Sequence, residues 1–345
     1  PVDLDLRPYL TGFMTEQIAG YYDPEAKRFF TIEKGDEDDG DGDDDGDSDS
    51  EKNDHEQLFV LAHELDHAID DQHFDLEARR KQFGTDDDRS TAFAALTEGT
   101  AMEAGIEHLL WRPGTQLSTA GLIGRTLIRN LIPDDPLAST DAISDLADDA
   151  DQVDLEELDA LENAPPVMRA EMLLPYLQGW RFVNRLRSEF GWQAVDAAYR
   201  DPPESTEQII HPERYIDRRE RPGIITLPAA PAGLVEHFQG TLGALRLRVL
   251  LGTHLDQAAA DIAHGWDGDR YVLWHGPAGD TLGLVTVFDR EGQAADFESV
   301  YRLLLDYQHR DGGHQVARRG DTVAAVIGAP QGRAAELAAI LLDSQ

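Results

Sequence analysis

The chain carries helical spacing of apolar residues through its first two-thirds and short strand-like runs between helices in its last third. Leu58, Leu61, Ala62, Leu65 and Ile69 recur at three- and four-residue intervals, one stripe of an amphipathic helix. Asp54 followed by Gln57 is a capping-box start, and neither Pro nor Gly interrupts the residues that follow. The stripe predicts a packed face. His63, His67 and Asp71 fall on roughly the opposite side, with Phe59 and Val60 beside them, as on a helix forming the floor of a cleft.

Residues 18–22 and 28–32 are β-prone and flank a turn at Asp23 and Pro24, which predicts a hairpin. A second helix is expected over residues 90–110. A long one should open at Pro165 and Pro166 and run through Met172, Leu173, Tyr176, Trp180 and Phe182. Residues 111–164 read as mixed, ending in an acidic helical stretch, and 201–215 as a loop, one short helix and a stop. After Arg221, Pro222 and Gly223 the pattern changes. Strands are expected at 270–274, 282–288, 315–318 and 322–327, and helices at 297–307 and 332–342. The expected fold class is α+β: a mostly helical domain over 1–224 with an N-terminal β-hairpin, then a smaller α+β domain over 225–345. No internal repeat is visible.

Charge narrows the picture. The 345 residues carry 67 acidic and 30 basic side chains, a formal charge of −37, and 26 of the basic residues are arginine. Residues 35–54 hold twelve acids and one lysine and read as a disordered acidic loop. Asp41, Asp43, Asp45 and Gly46 match the start of a calcium loop, but Lys52 stands where its closing glutamate belongs and Ser48 where an apolar residue belongs. A solvated loop is therefore preferred. Without that stretch the charge is still −26 (−37 plus 11), so the folded parts are acidic as well. Such a surface needs screening, which points to a halophilic source. It also excludes nucleic acid as a partner, because no basic stripe exists to neutralise phosphates. With no cysteine, disulfides and thiolate ligands are excluded. No apolar run approaches the roughly 18 residues of a transmembrane segment. No signal-like segment stands at Pro1, which says little about location; the sequence leaves it open, with an extracytoplasmic or cell-surface place in a salt-rich medium favoured.

The chemistry concentrates at residues 63–67, which read H-E-x-x-H. Histidines four apart on a helix sit one turn apart on one face and can share a metal ion, here expected to be zinc. Glu64 sits beside the first histidine, placed to take a proton from a metal-activated water. A catalytic zinc site takes three protein ligands plus water. The second helix offers Glu98, thirty-one residues after His67, among small residues Ala94, Ala95, Gly99 and Ala101 that would let it approach the first helix closely. Glu103 lies on a different helix face, and His108, next to Leu109 and Leu110, reads as a half-buried structural histidine. His73 is displaced around the helix and reads as structural too.

H-E-x-x-H followed by a helix bearing E-G-x-A resembles the gluzincin zinc metallopeptidases. The resemblance implies a zincin-like domain in which His63, His67 and Glu98 bind zinc, Glu64 is the general base and the upstream hairpin borders the substrate cleft. The chain is also similar to a set of microbial metallopeptidase-like proteins over residues 19–24, 63–76, 96–101 and 203–215. Some gluzincins place an aspartate four residues after the glutamate ligand to orient a histidine. Here that position is Met102, so Asp71 is the alternative partner for a ligand histidine, beside the plainer reading of an exposed helix aspartate. Peptide deformylases share the form His-Glu-Leu-Asp-His but need a cysteine ligand, which this chain lacks. The oxyanion of a peptidase needs a donor. His211 ends a short helix begun by Ser205 and Gln208; the helix dipole would favour its protonated form, beside the plainer reading that it merely caps that helix. Tyr215 is the neighbouring donor, and Tyr176 a more remote one. The expected function is zinc-dependent hydrolysis of a peptide or protein substrate. The alternative is an inactive pseudo-peptidase serving as a scaffold or binding protein, with the last third as a substrate-positioning or interaction module.

Overall fold

The computed structural model describes residues 20–31, 47–110, 164–308 and 313–345. Asp41, Asp43, Asp45 and Gly46 of the near-calcium loop, and residues 111–163 of the mixed stretch, lie outside these residues. The architecture is α+β and divides into two compact units. The first is Pro1–Gln82 with Ala94–Pro202, and the second is Phe83–Phe93 with Pro203–Gln345. The expected boundary was near residue 224, and the compact units divide at Pro202 and Pro203 instead.

The first unit opens with a hairpin of β1 (Gly20–Asp23) and β2 (Arg28–Thr31), paired antiparallel with Tyr21 opposite Phe30 and Tyr22 opposite Phe29. Helix α1 (Asp47–Phe74) follows, then α2 (Leu76–Lys81), α3 (Asp87–Leu110), α4 (Pro166–Phe190) and α5 (Trp192–Arg200). Of α3, only the residues from Ala94 onward belong to this unit. Helix α1 starts at Asp47, not near Asp54, so the last part of the expected acidic loop is helical. Acidic residues at a helix N-terminus are favoured by the macrodipole, and this segment is rich in them.

The packing of α1 reverses the expectation from its periodicity. Leu58, Leu61, Leu65 and Ile69 are exposed, Ile69 by 52%, whereas His63, Asp70 and Asp71 are buried. The polar face of α1 is the one turned inward. The core of the unit is built instead by α3, α4 and α5 through Leu96, Leu174, Trp180, Phe182, Val195 and Tyr199. Phe74 at the end of α1 stacks on Tyr199 with ring centroids 4.5 Å apart.

The α3–α4 crossing is unusually close. A Cβ added at Gly99 would lie 2.3 Å from the carbonyl of Gly179, and one at Gly179 would lie 2.1 Å from the carbonyl oxygen of Ala95. Gly105 faces a side chain of α1 instead, its added Cβ 2.6 Å from the Phe59 ring. The small residue beside Glu98 therefore serves the approach of α4, and it is Gly105 that admits α1.

In the second unit, α6 (Thr206–Ile210) and α7 (Pro212–Ile216) precede an all-antiparallel sheet in the order β3-β4-β5-β7-β6. The strands are β3 (Val235–Gly240), β4 (Trp266–Gly276), β5 (Gly279–Phe288), β6 (Gln315–Arg319) and β7 (Thr322–Ile327). Helices α8 (Gly243–His254) and α10 (Glu291–Gln308) cover one face, and α11 (Ala334–Asp343) the other; α9 (Gln257–Ala260) leads into β4. Successive residues alternate between the two cores. Val323 and Ala325 face α8 and α10, and Ala324 and Val326 face α11. A sheet covered on both sides makes β7 apolar throughout, which is why that strand was legible. Strand β3, four of whose residues are exposed, and helix α8 were not anticipated. Asp269 caps α8 through the main-chain N–H groups of Leu242 and Gly243, and Asp88 caps α6 through that of Thr206, so both buried carboxylates have structural roles.

Candidate metal centre

Helix α1 supplies His63 and His67 one turn apart, and α3 supplies Glu98. Glu98 Oε2 lies 3.2 Å from His63 Nε2 and 3.3 Å from His67 Nε2, and the two Nε2 atoms are 3.2 Å apart. Among the described residues these three form the one cluster of histidine and acidic side chains able to hold a metal ion. The two imidazoles meet edge to face with centroids 4.8 Å apart. The α3–α4 crossing at Gly99 fixes the depth of its neighbour Glu98, because two main chains in contact leave no room for adjustment.

The charges of the cluster are mutually dependent. Burial would raise the Glu98 carboxyl, but hydrogen bonds from His63 and His67 hold it down at about 2. Burial would likewise depress His67, yet the hydrogen bond and charge of Glu98, with Glu64 and Asp66, raise it to about 9. A buried carboxylate thus draws a proton onto an imidazole where a cation could sit instead. His63 Nδ1 is buried with no hydrogen-bond partner. Behind the cluster, burial pushes Asp66 and Asp70 of α1 up, and the charge of Asp70 raises Asp66 further.

Glu64 is held by the hairpin. Its Oε2 accepts the main-chain N–H of Tyr22 at 2.6 Å. Asp71 is neither the partner of a ligand histidine nor an exposed helix aspartate. It is buried, and it accepts from Tyr22 Oη at 2.8 Å, Lys27 Nζ at 2.5 Å and the Leu76 main chain at 3.1 Å. Glu103 is fully buried and committed elsewhere, accepting from Trp180 Nε1 at 2.7 Å and Asn184 Nδ2 at 3.4 Å and pairing with Arg187. His108 is exposed, contrary to the half-buried place expected, and His73 is exposed as well.

Tyr176 lies nearer the cluster than the sequence implied. Its ring stacks over His63 at 6.2 Å, and its phenol is raised by burial and by the charges of Glu98 and Glu64, so it remains a donor at any ordinary pH. A sequence signal existed: Tyr176 stands three residues before Gly179, where α4 touches α3. The hairpin was expected beside the cleft, but nothing in the sequence marked the main-chain N–H of Tyr22 as the partner of Glu64.

His211 and Tyr215 belong to the second unit. His211 stands between α6 and α7, the second of these helices not having been anticipated, and its ring lies 4.9 Å from that of His264. Burial, and then the charge of His264, lower its pKa to about 4. The helix dipole does not keep it protonated, because desolvation outweighs it. Tyr215 lies under the Arg219 guanidinium at 4.2 Å.

Residues 233–338 match the model of a family described as a domain of unknown function (DUF8575). That match runs from β3 into α11 and does not reach the metal cluster. No curated protein and no solved structure matches the chain. Among the described residues no helix is long and apolar enough to cross a membrane.

Proposed function

We propose that the first unit is a zincin-like metallopeptidase domain, that His63, His67 and Glu98 hold a zinc ion, and that the chain hydrolyses peptide bonds. The observation that carries the reading is the spacing of the three donor atoms. A tetrahedral zinc ion with bonds of about 2.0–2.1 Å spaces its ligand atoms roughly 3.3–3.4 Å apart. The three atoms here are 3.2–3.3 Å apart, and their types, two imidazoles and a carboxylate, are those of a catalytic zinc site with a place left for water.

Zinc bound there would polarise a scissile carbonyl and make water a nucleophile at neutral pH. Glu64, next to His63 on α1, takes the proton of the attacking water and returns it to the leaving amine. The main-chain N–H of Tyr22 holds that carboxylate in one orientation. Tyr176, beside His63 and protonated, is the donor for the developing oxyanion, in preference to the neutral His211 and to Tyr215. The substrate is a peptide or protein, and the acidic surface suits a high-salt medium.

Metal analysis of protein purified without added zinc, with casein and peptide-library cleavage at molar salt with and without chelator, tests the proposal. Stoichiometric zinc and chelator-sensitive cleavage are expected. Glu64→Gln should keep the metal and lose cleavage, and Glu98→Ala should lose the metal. Zinc retained in Glu98→Ala, or full activity in Glu64→Gln, would overturn the assignments.

A further inference from the structure

The β1–β2 hairpin is four residues on each side, too small to stand alone in water. Its outer aromatic pair, Tyr21 and Phe30, stacks at 5.0 Å on an open face and gives it no anchor. Alternation along β1 turns Tyr22 the other way. Tyr22 reaches α1 with both of its ends: the main-chain N–H meets Glu64 and the phenol meets Asp71, two turns further along the helix. Lys27, in the turn between the strands with φ 53°, adds its ammonium to the same Asp71 oxygen. The other oxygen of Asp71 accepts the Leu76 N–H, which fixes the carboxylate in place, and its side chain is wholly buried.

We propose that Asp71 is a positioning residue for Glu64, acting through the hairpin: by latching Tyr22 Oη and Lys27 Nζ it keeps the Tyr22 N–H on the Glu64 carboxylate. Asp71 makes its hydrogen bonds to Tyr22, Lys27 and Leu76 and none to His63, His67 or Glu98. Its effect reaches the base only through the main chain of β1. The catalytic consequence rests on the peptidase reading above, whereas the latch itself does not.

Amide hydrogen exchange in the full chain, resolved to the Tyr22 N–H by fragmentation mass spectrometry, reads the latch directly. Tyr22→Phe removes one bond and leaves Asp71 and its Leu76 contact in place, so it tests the latch even where Asp71→Ala fails to fold. Exchange at residue 22 should quicken at least about tenfold in Tyr22→Phe and less in Lys27→Met, with melting temperature and bound zinc unchanged. kcat on a cleavable peptide should fall by about the same factor. Unchanged exchange at residue 22 in Tyr22→Phe overturns the latch. Faster exchange with unchanged kcat overturns the positioning of Glu64. A wild-type protein that cleaves nothing refutes the peptidase reading and the catalytic consequence with it, and the exchange data still decide the latch.

Discussion

Replacing Gly99 by alanine should separate two helices whose main chains touch. The added Cβ would stand 2.3 Å from both the carbonyl carbon and the oxygen of Gly179, and 2.8 Å from the Trp180 nitrogen. Normal carbon contacts are about 3.5–4.0 Å, so α3 and α4 must part by roughly 1 Å or more. No rotamer change relieves this, because every obstructing atom is main chain. Alanine gains up to about 1 kcal/mol of helix propensity over glycine. Overpacking costs about 1–3 kcal/mol and more where the neighbours cannot yield. The net expectation is a loss of about 2 kcal/mol, or about 4–8 °C in melting temperature for a unit of this size. Because Glu98 is the adjacent residue, zinc affinity should drop at least about tenfold, since ligand sets tolerate only about 0.5 Å of displacement. Gly105→Ala is the control: the atoms nearest its Cβ belong to the Phe59 side chain rather than to a main chain, and it should cost less than about 1 kcal/mol. Thermal melts and a zinc titration of both variants suffice. If Gly99→Ala melts within about 1 °C of wild type and binds zinc equally, the crossing does not set the depth of Glu98.

Glu103→Ala should destabilise by about 3 kcal/mol in urea unfolding, because it strips Arg187, Trp180 and Asn184 of a buried acceptor; a loss below about 1 kcal/mol would show that the network is dispensable. In zinc-free protein the His–Glu cluster has two pH limits. Glu98, lowered from 4.5 to about 2, contributes stability present above pH 4.5 and lost as pH falls toward 2, and His67, raised from 6.5 to about 9, contributes stability present below 6.5 and lost as pH rises toward 9. Urea midpoints should therefore decline from pH 6.5 to 9 without zinc and hold steady with it, and a flat zinc-free profile would contradict the cluster's charge state. The formal charge of −37 predicts a melting temperature that climbs between low and molar salt; insensitivity over that range would refute the screening argument.

Features that depend on local spacing were legible along the chain. Histidines four apart on an uninterrupted helix had to share a face, and Pro165 and Pro166 had to start α4. The continuous apolar run of β7 reads as a strand between two cores. The place of Glu98 was legible from its small neighbours, although the reason differs: Gly99 answers to α4, and Gly105 to α1. Tertiary structure decided which face of α1 is inside. Periodicity marks an apolar stripe but cannot weigh it against His63, Asp70 and Asp71, whose partners come from the hairpin, α3 and α5, distant in sequence. It also decided the company of Glu64, because a main-chain N–H such as that of Tyr22 leaves no mark on composition. The lowered pKa of His211 belongs here too: the dipole is local, but burial overrides it, and the next cause is the charge of His264, distant in sequence. Local sequence fixes where side chains lie along an element. Only the packed chain fixes what each one meets, and desolvation and hydrogen bonding follow from that meeting.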